Sequence, residues 1–144
     1  MRAWMMLADA VQAADGKLYI LGGGWNISGR APFGIALLIE VPWTEANRGH
    51  RWELHLETED GEPVSFPETG SIEPIVIGGD FEVGRPAGSP PGTPFNVPVA
   101  INSGPMPLQP GRYTWRLQLD GESDDNWYLS FDVRVPAERP GPPV

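Results

Sequence analysis

The chain has no cysteine, and only one of its 10 basic residues, Lys17, is a lysine. Without cysteine there is no disulfide, no thiolate zinc site and no cysteine nucleophile. Basic side chains are few against 19 acidic ones, and the net charge is -9. No clustered cationic face is expected, so nucleic acid is not an expected partner. Histidine is also scarce: His50 and His55 are the whole supply. No apolar run approaches the ~20 residues of a membrane span. The apolar stretch from Ala3 to Ala8 ends at Asp9, too early for a signal-peptide core. It reads as a first strand in a cytoplasmic protein with no membrane contact.

What is abundant is turn chemistry and aromatic bulk. There are 18 glycines, 17 prolines and six tryptophans in 144 residues. Between the turns the apolar residues alternate. In "RYTWRLQL" Tyr113, Trp115, Leu117 and Leu119 share one face, and Arg112, Thr114, Arg116 and Gln118 the other. In "WYLSFDVRV" Trp127, Leu129, Phe131, Val133 and Val135 alternate with Tyr128, Ser130, Asp132 and Arg134. "HRWELHLE" sets Trp52, Leu54 and Leu56 against Arg51, Glu53, His55 and Glu57. A period of two marks strands with one face in a core. "GIALLIEV", residues 34–41, is nearly all apolar and reads as a central strand covered on both sides. "PFNVPVAI" carries Pro98, which cannot donate to a ladder, so an edge or bulged strand is expected. "IEPIVIGGDFEV" reads as a strand bent at Gly79, and "PWTEANRG" as about one helical turn capped by Thr44. The expected fold is an all-β antiparallel sandwich of about eight strands, immunoglobulin-like or C2-like, with at most one short helix. Residues 1–136 form a single domain in this reading, and the Pro- and Gly-rich 137–144 a disordered tail.

The stretch "YILGGGWN" tests whether the glycines cradle a phosphate. Gly22, Gly23 and Gly24 are consecutive, no Lys-Ser/Thr follows, and "WNISG" is extended rather than helical. A bulge or bend is expected there. His50 and His55 lie an odd number of residues apart, so on one strand they point to opposite faces. They cannot form a two-histidine metal site within it. "DGESDDN" brings Asp120, Glu122, Asp124 and Asp125 into one loop between two strands. Carboxylates at a sandwich tip can bind Ca²⁺, although the spacing is not that of an EF-hand. There is no Gly-x-Ser-x-Gly. Ser130 and Asp132 share an outer face, and a Ser–His–Asp arrangement would need His55 brought to them.

The segments "ADAVQAADGKLYILGGGWNISG", "IALLIEVPWTEANRGHRWELHLETEDG" and "VPVAINSGPMPLQPGRYTWRLQLDG" together resemble a family of small bacterial domains of unknown function. The marks are Asp9-Ala10, Asp15-Gly16-Lys17, Leu21 to Trp25, Pro42-Trp43 and Pro110-Gly111-Arg112-Tyr113. The resemblance implies one compact β-rich domain and brings no activity, cofactor or catalytic residue with it. The closing "PGRYTWRLQLDG…WYLSFDVRV" resembles the last hairpin of immunoglobulin-like bacterial domains.

The leading functional expectation is a non-catalytic binding or assembly module, contacting a protein partner or a second copy of itself. Trp25, Trp43 and Tyr128 are the candidate contact residues, at a bend, in a loop and on an outward face. One alternative is a Ca²⁺-dependent or carbohydrate-binding sandwich using Asp120, Glu122, Asp124 and Asp125. Another is an enzyme of unrecognised type centred on His55. No cofactor is expected.

Overall fold

The computed structural model describes residues 1–28, 30–66 and 73–134. The elements run β1 (Arg2–Ala8), β2 (Ala10–Ala14), β3 (Lys17–Leu21), β4 (Ile27–Ser28), β5 (Phe33–Val41), η1 (Trp43–Glu45), β6 (Gly49–Thr58), β7 (Val76–Glu82), β8 (Phe95–Ser103), β9 (Gly111–Leu119) and β10 (Glu122–Val133). The all-β expectation holds. The described residues contain ten strands rather than about eight, and one 3₁₀ turn. The expected first strand stops at Ala8 because the Asp9 N–H leaves its ladder. It donates instead to the carbonyls of Leu21 and Gly22, at 3.0 and 3.2 Å. The expected tail, 137–144, lies outside the described residues.

The strands form three sheets. One has the order β1-β5-β8, one β4-β10-β9-β6-β7, and β2 pairs only with β3. The β4–β10 pair is parallel, and every other pair is antiparallel. A single apolar cluster joins the inner faces of the two larger sheets. Ile35, Leu37, Ile39 and Val41 of β5 meet Leu54 and Leu56 of β6 and Trp115 and Leu117 of β9 in it, all essentially solvent-free. Burying a side chain of this size contributes about 1.5–3 kcal/mol. The period-two pattern of β6 and β9 is what delivers their share of these residues to one side.

β5 is central, as its apolar run implies, and β8 is an edge strand, as Pro98 implies. The outer face of the three-stranded sheet is covered by the β2–β3 hairpin, where Val11 and Leu18 pack with Ala36, Ala100 and Met6. Asn102 of β8 fastens the hairpin: its Oδ1 accepts from the Val11 N–H at 3.0 Å, and its Nδ2 donates to the Val11 carbonyl at 2.7 Å.

Three local expectations are corrected. β7 runs straight through Gly79, whose role is clearance. A Cβ there would sit 2.9 Å from Nε1 of Trp52, on the neighbouring strand. η1 is a single 3₁₀ turn after Pro42 with no side-chain cap, and Thr44 lies inside it. The "DGESDDN" loop is a tight turn at Asp120-Gly121 followed directly by β10. Both turn residues have positive φ, 52° and 79°, as a two-residue type I′ hairpin requires. Asp124, Asp125 and Asn126 are absorbed as a bulge, since the register with β9 slips between Ser123 and Tyr128.

Candidate functional site

The first polar assembly lies where η1, β6 and the β9–β10 turn meet. β6 puts His50 on its inner face with Trp52, and the residue is only 4% exposed. Each ring nitrogen faces an oxygen. Nδ1 lies 2.7 Å from Oδ2 of Asp120, and Nε2 lies 2.7 Å from the Glu45 carbonyl oxygen. A carbonyl and an ionised carboxylate only accept, so the arrangement favours the imidazolium, which donates from both nitrogens. Phe81 stacks on it with ring centres 5.3 Å apart. Burial by itself would push the His50 pKa down. The Glu45 carbonyl and the Asp120 carboxylate outweigh it and hold the pKa above the ordinary 6.5. Burial likewise works to raise Asp120, but His50 and the Arg51 N–H, at 2.8 Å, hold its carboxyl below the ordinary range. Neither nitrogen is free to meet a substrate. The assembly ties three chain segments together.

The four acidic candidates separate in the fold. The Asp120 carboxylate is taken by His50 and Arg51. Glu122, Asp124 and Asp125 are exposed along the start of β10, and Asp124 accepts from the Asn126 N–H at 2.9 Å. Among the described residues no group of three or more His, Asp or Glu is placed to hold a metal ion.

The outer face of the five-stranded sheet gathers several other candidates. Val76, His55, Arg116 and Tyr128 form one cross-strand row over β7, β6, β9 and β10. Beside it, Arg116 pairs with Glu57 at 3.1 Å, and the Thr114 and Ser130 hydroxyls lie 2.9 Å apart. His55 is half-buried rather than solvated, and its Nε2 is buried without a hydrogen-bond partner. The Ser–His–Asp arrangement does not assemble. β9 stands between His55 and Ser130, a separation of two strand spacings, about 10 Å, beyond hydrogen-bond reach. Asp132 is held by Arg112 at 3.0 Å.

The three aromatic candidates do not converge. Trp25 lines a narrow cleft with Leu7, Phe33, Trp115 and Phe131, where the free space is about 10 Å³, room for one water molecule. The indole nitrogens of Trp25 and Trp115 are both buried without a partner. Trp43, on η1, stacks on Phe95 at 5.9 Å, and the Arg85 guanidinium lies 4.3 Å over its ring. Tyr128 is about half exposed on the outer sheet face. The glycines make the expected bend: Gly22 and Gly24 have φ of 59° and 95°, and the Gly24 N–H donates to Leu7 O at 2.8 Å.

Two features escape the sequence reading. One is the pairing of His50 with Asp120, for which the only signal is a histidine at an inward position of an alternating strand. The other is β3. Tyr19 is 51% exposed and Leu21 68%, in a strand with a neighbour on one side only among the described residues. The signal there was an apolar run, "LYIL", with no alternation. Among the described residues no helix is long and apolar enough to cross a membrane.

None of the curated proteins compared with the chain matches it in sequence. The model of DUF6941, a family of unknown function, matches residues 3–132, and the chain belongs to that family.

Proposed function

We propose that the chain is a non-catalytic binding or assembly module, built as an immunoglobulin-like sandwich in a single domain, whose contact surface is the β2–β3 hairpin. The topology supports the architectural part. The order β1-β5-β8 reads as strands A-B-E, and β4-β10-β9-β6-β7 as A′-G-F-C-C′. A tyrosine corner fits the same scheme: Tyr113, early in the F-like β9, donates its hydroxyl to the Gln109 carbonyl at 2.7 Å.

The observation that carries the functional part is the exposure of Tyr19 and Leu21 on a strand whose outer edge has no neighbour among the described residues. An open apolar edge invites another strand and is a liability unless something covers it. A contact surface gives the exposure a use. The test is a photo-crosslinking residue at position 21 in cells that make the protein, with position 118 on the outer face of β9 as control. Protein adducts at 21 and not at 118 are the expected result. No adduct at 21 above the level at 118 overturns the reading.

A further inference from the structure

We infer that the outer edge of β3 pairs with the same edge of a second copy of this chain, in a two-fold antiparallel junction centred on Tyr19. This rests on the reading of the β2–β3 hairpin as the contact surface and names its occupant.

The register of the hairpin fixes which backbone groups are on offer. Val11 pairs with Ile20, and the Val11 N–H and C=O are bonded to Asn102, away from β3. That side chain closes the outer edge of β2. In an antiparallel ladder the pairs alternate, so Ala10, Gln12 and Ala14 carry the bonds to Leu21, Tyr19 and Lys17. The N–H and C=O groups of Leu18 and Ile20 therefore point outward from β3. A second β3, turned by a two-fold axis, satisfies all of them. Leu18 exchanges two hydrogen bonds with the second copy's Ile20, and Ile20 two with the second copy's Leu18. Tyr19 then faces its own counterpart on the axis, in the closer, non-bonded type of pair.

Charge favours this occupant over an arbitrary strand. Lys17 is the sole lysine of a chain with net charge -9, and it stands at one end of β3. At the other end is Gly22, against which the Asp9 carboxylate lies so closely that a Cβ on the glycine would collide with it. The two-fold pairing sets Lys17 opposite the second copy's Leu21, one residue from that Gly22 and its Asp9. The junction thus carries a Lys17–Asp9 pair at each end. Self-complementarity of this kind is what an isologous interface demands, because one patch must serve both sides.

The experiment is sedimentation velocity of the full chain from low to high micromolar concentration, with Lys17→Glu, Asp9→Lys, the double reversal, and Ile20→Pro. Unchanged unfolding midpoints serve as the folding control for the charge variants. The chain is expected to dimerise reversibly. Each single reversal weakens association by about tenfold or more, since it acts at both ends of the junction, and the double reversal restores most of the loss. Ile20→Pro removes an outward donor and leaves a monomer. A monomeric wild type at every concentration overturns the inference, and so does a dimer indifferent to all four variants. A monomer that still crosslinks at position 21 to a different protein overturns only the self-pairing. A monomer with no adduct there overturns the contact-surface reading as well.

Discussion

Two hairpins in this molecule are built on the same dipeptide and meet different fates. Asp15-Gly16 joins β2 to β3 with φ of 53° and 71°, and Asp120-Gly121 joins β9 to β10 with φ of 52° and 79°. Both dipeptides suit the left-handed conformations that a right-twisted hairpin needs. The second hairpin lies inside a five-stranded sheet and sends Tyr113, Trp115, Leu117, Phe131 and Val133 into the core. Its turn aspartate is also bonded to His50 and to the Arg51 N–H. The first hairpin is a sheet of two, resting on its neighbour through Val11 and Leu18, with Tyr19 and Leu21 in solvent. A two-stranded hairpin alone is marginal in water. Turn chemistry therefore shapes both hairpins, and what their strands face decides which one carries the stability.

The sharpest way to break this contrast is to remove bulk from each hairpin. Trp115→Ala, in the core of β9, is expected to cost about 3–5 kcal/mol, whereas Tyr19→Ala should stay within about 0.5 kcal/mol. Equal shifts in denaturant midpoint would mean that β3 carries core packing after all. Next in size is Gly23→Val, at the bend that anchors the first hairpin. Its Cβ would come within 2.6 Å of Met6 Sδ and 2.7 Å of Ile20 Cγ2, so a loss of about 1–3 kcal/mol from overpacking is expected. The reason is space rather than φ, because only Gly22 and Gly24 of the three glycines have positive φ. His55→Ala, on the outer sheet face, should cost about 0.5 kcal/mol or less. A worse His55 variant would place the bend or the face incorrectly.

The two turn aspartates give a finer comparison. Asp120→Asn keeps the turn conformation and loses the charged bonds, at about 1–2 kcal/mol. Asp15→Asn, on an exposed turn, should be nearly silent. The penalty at Asp120 depends on pH. The raised His50 pKa means that its contribution is complete below about 6.5 and fades as pH rises through the higher folded value. The lowered Asp120 pKa means that its contribution is present above about 3.8 and fades as pH falls through the lower folded value. The gap between wild type and Asp120→Asn should therefore be widest from about pH 4 to 6.5 and narrow on both sides. Midpoints measured across that range check it, and a gap that does not vary with pH would show that the pair is not ionised as described. Tyr19→Ser should likewise stay within about 0.5 kcal/mol for the monomer's stability. A larger loss would mean that the exposed face of the first hairpin is packed.

Much of the strand content was legible because a period of two needs only local information. Trp52, Leu54 and Leu56 in β6 and Tyr113, Trp115 and Leu117 in β9 announce an inner face by spacing alone, and the structure buries all six. Pro98 on an edge and β5 at a centre follow from backbone chemistry and from an unbroken apolar run. The candidate sites were less legible. His55, Tyr128 and Ser130 share a face as their parity requires, but which strand separates them depends on sheet order. The four carboxylates of "DGESDDN" looked like a loop because a bulge of three residues inside a strand has no local signature.

By itself the sequence determined that the chain would be turn-rich and nearly all β, which residues of each strand would turn inward, and where the tight turns and the glycine bend would fall. These depend on side-chain periodicity and on the φ preferences of single residues, which act within a few positions. Only the tertiary structure gave both nitrogens of His50 an acceptor, because the two acceptors come from η1 and from a turn 70 residues away. It also made Gly79 a space for Trp52 and left the edge of β3 open while closing that of β2 through Asn102. Those outcomes depend on strand order and on contacts between distant segments, which no short stretch of sequence encodes.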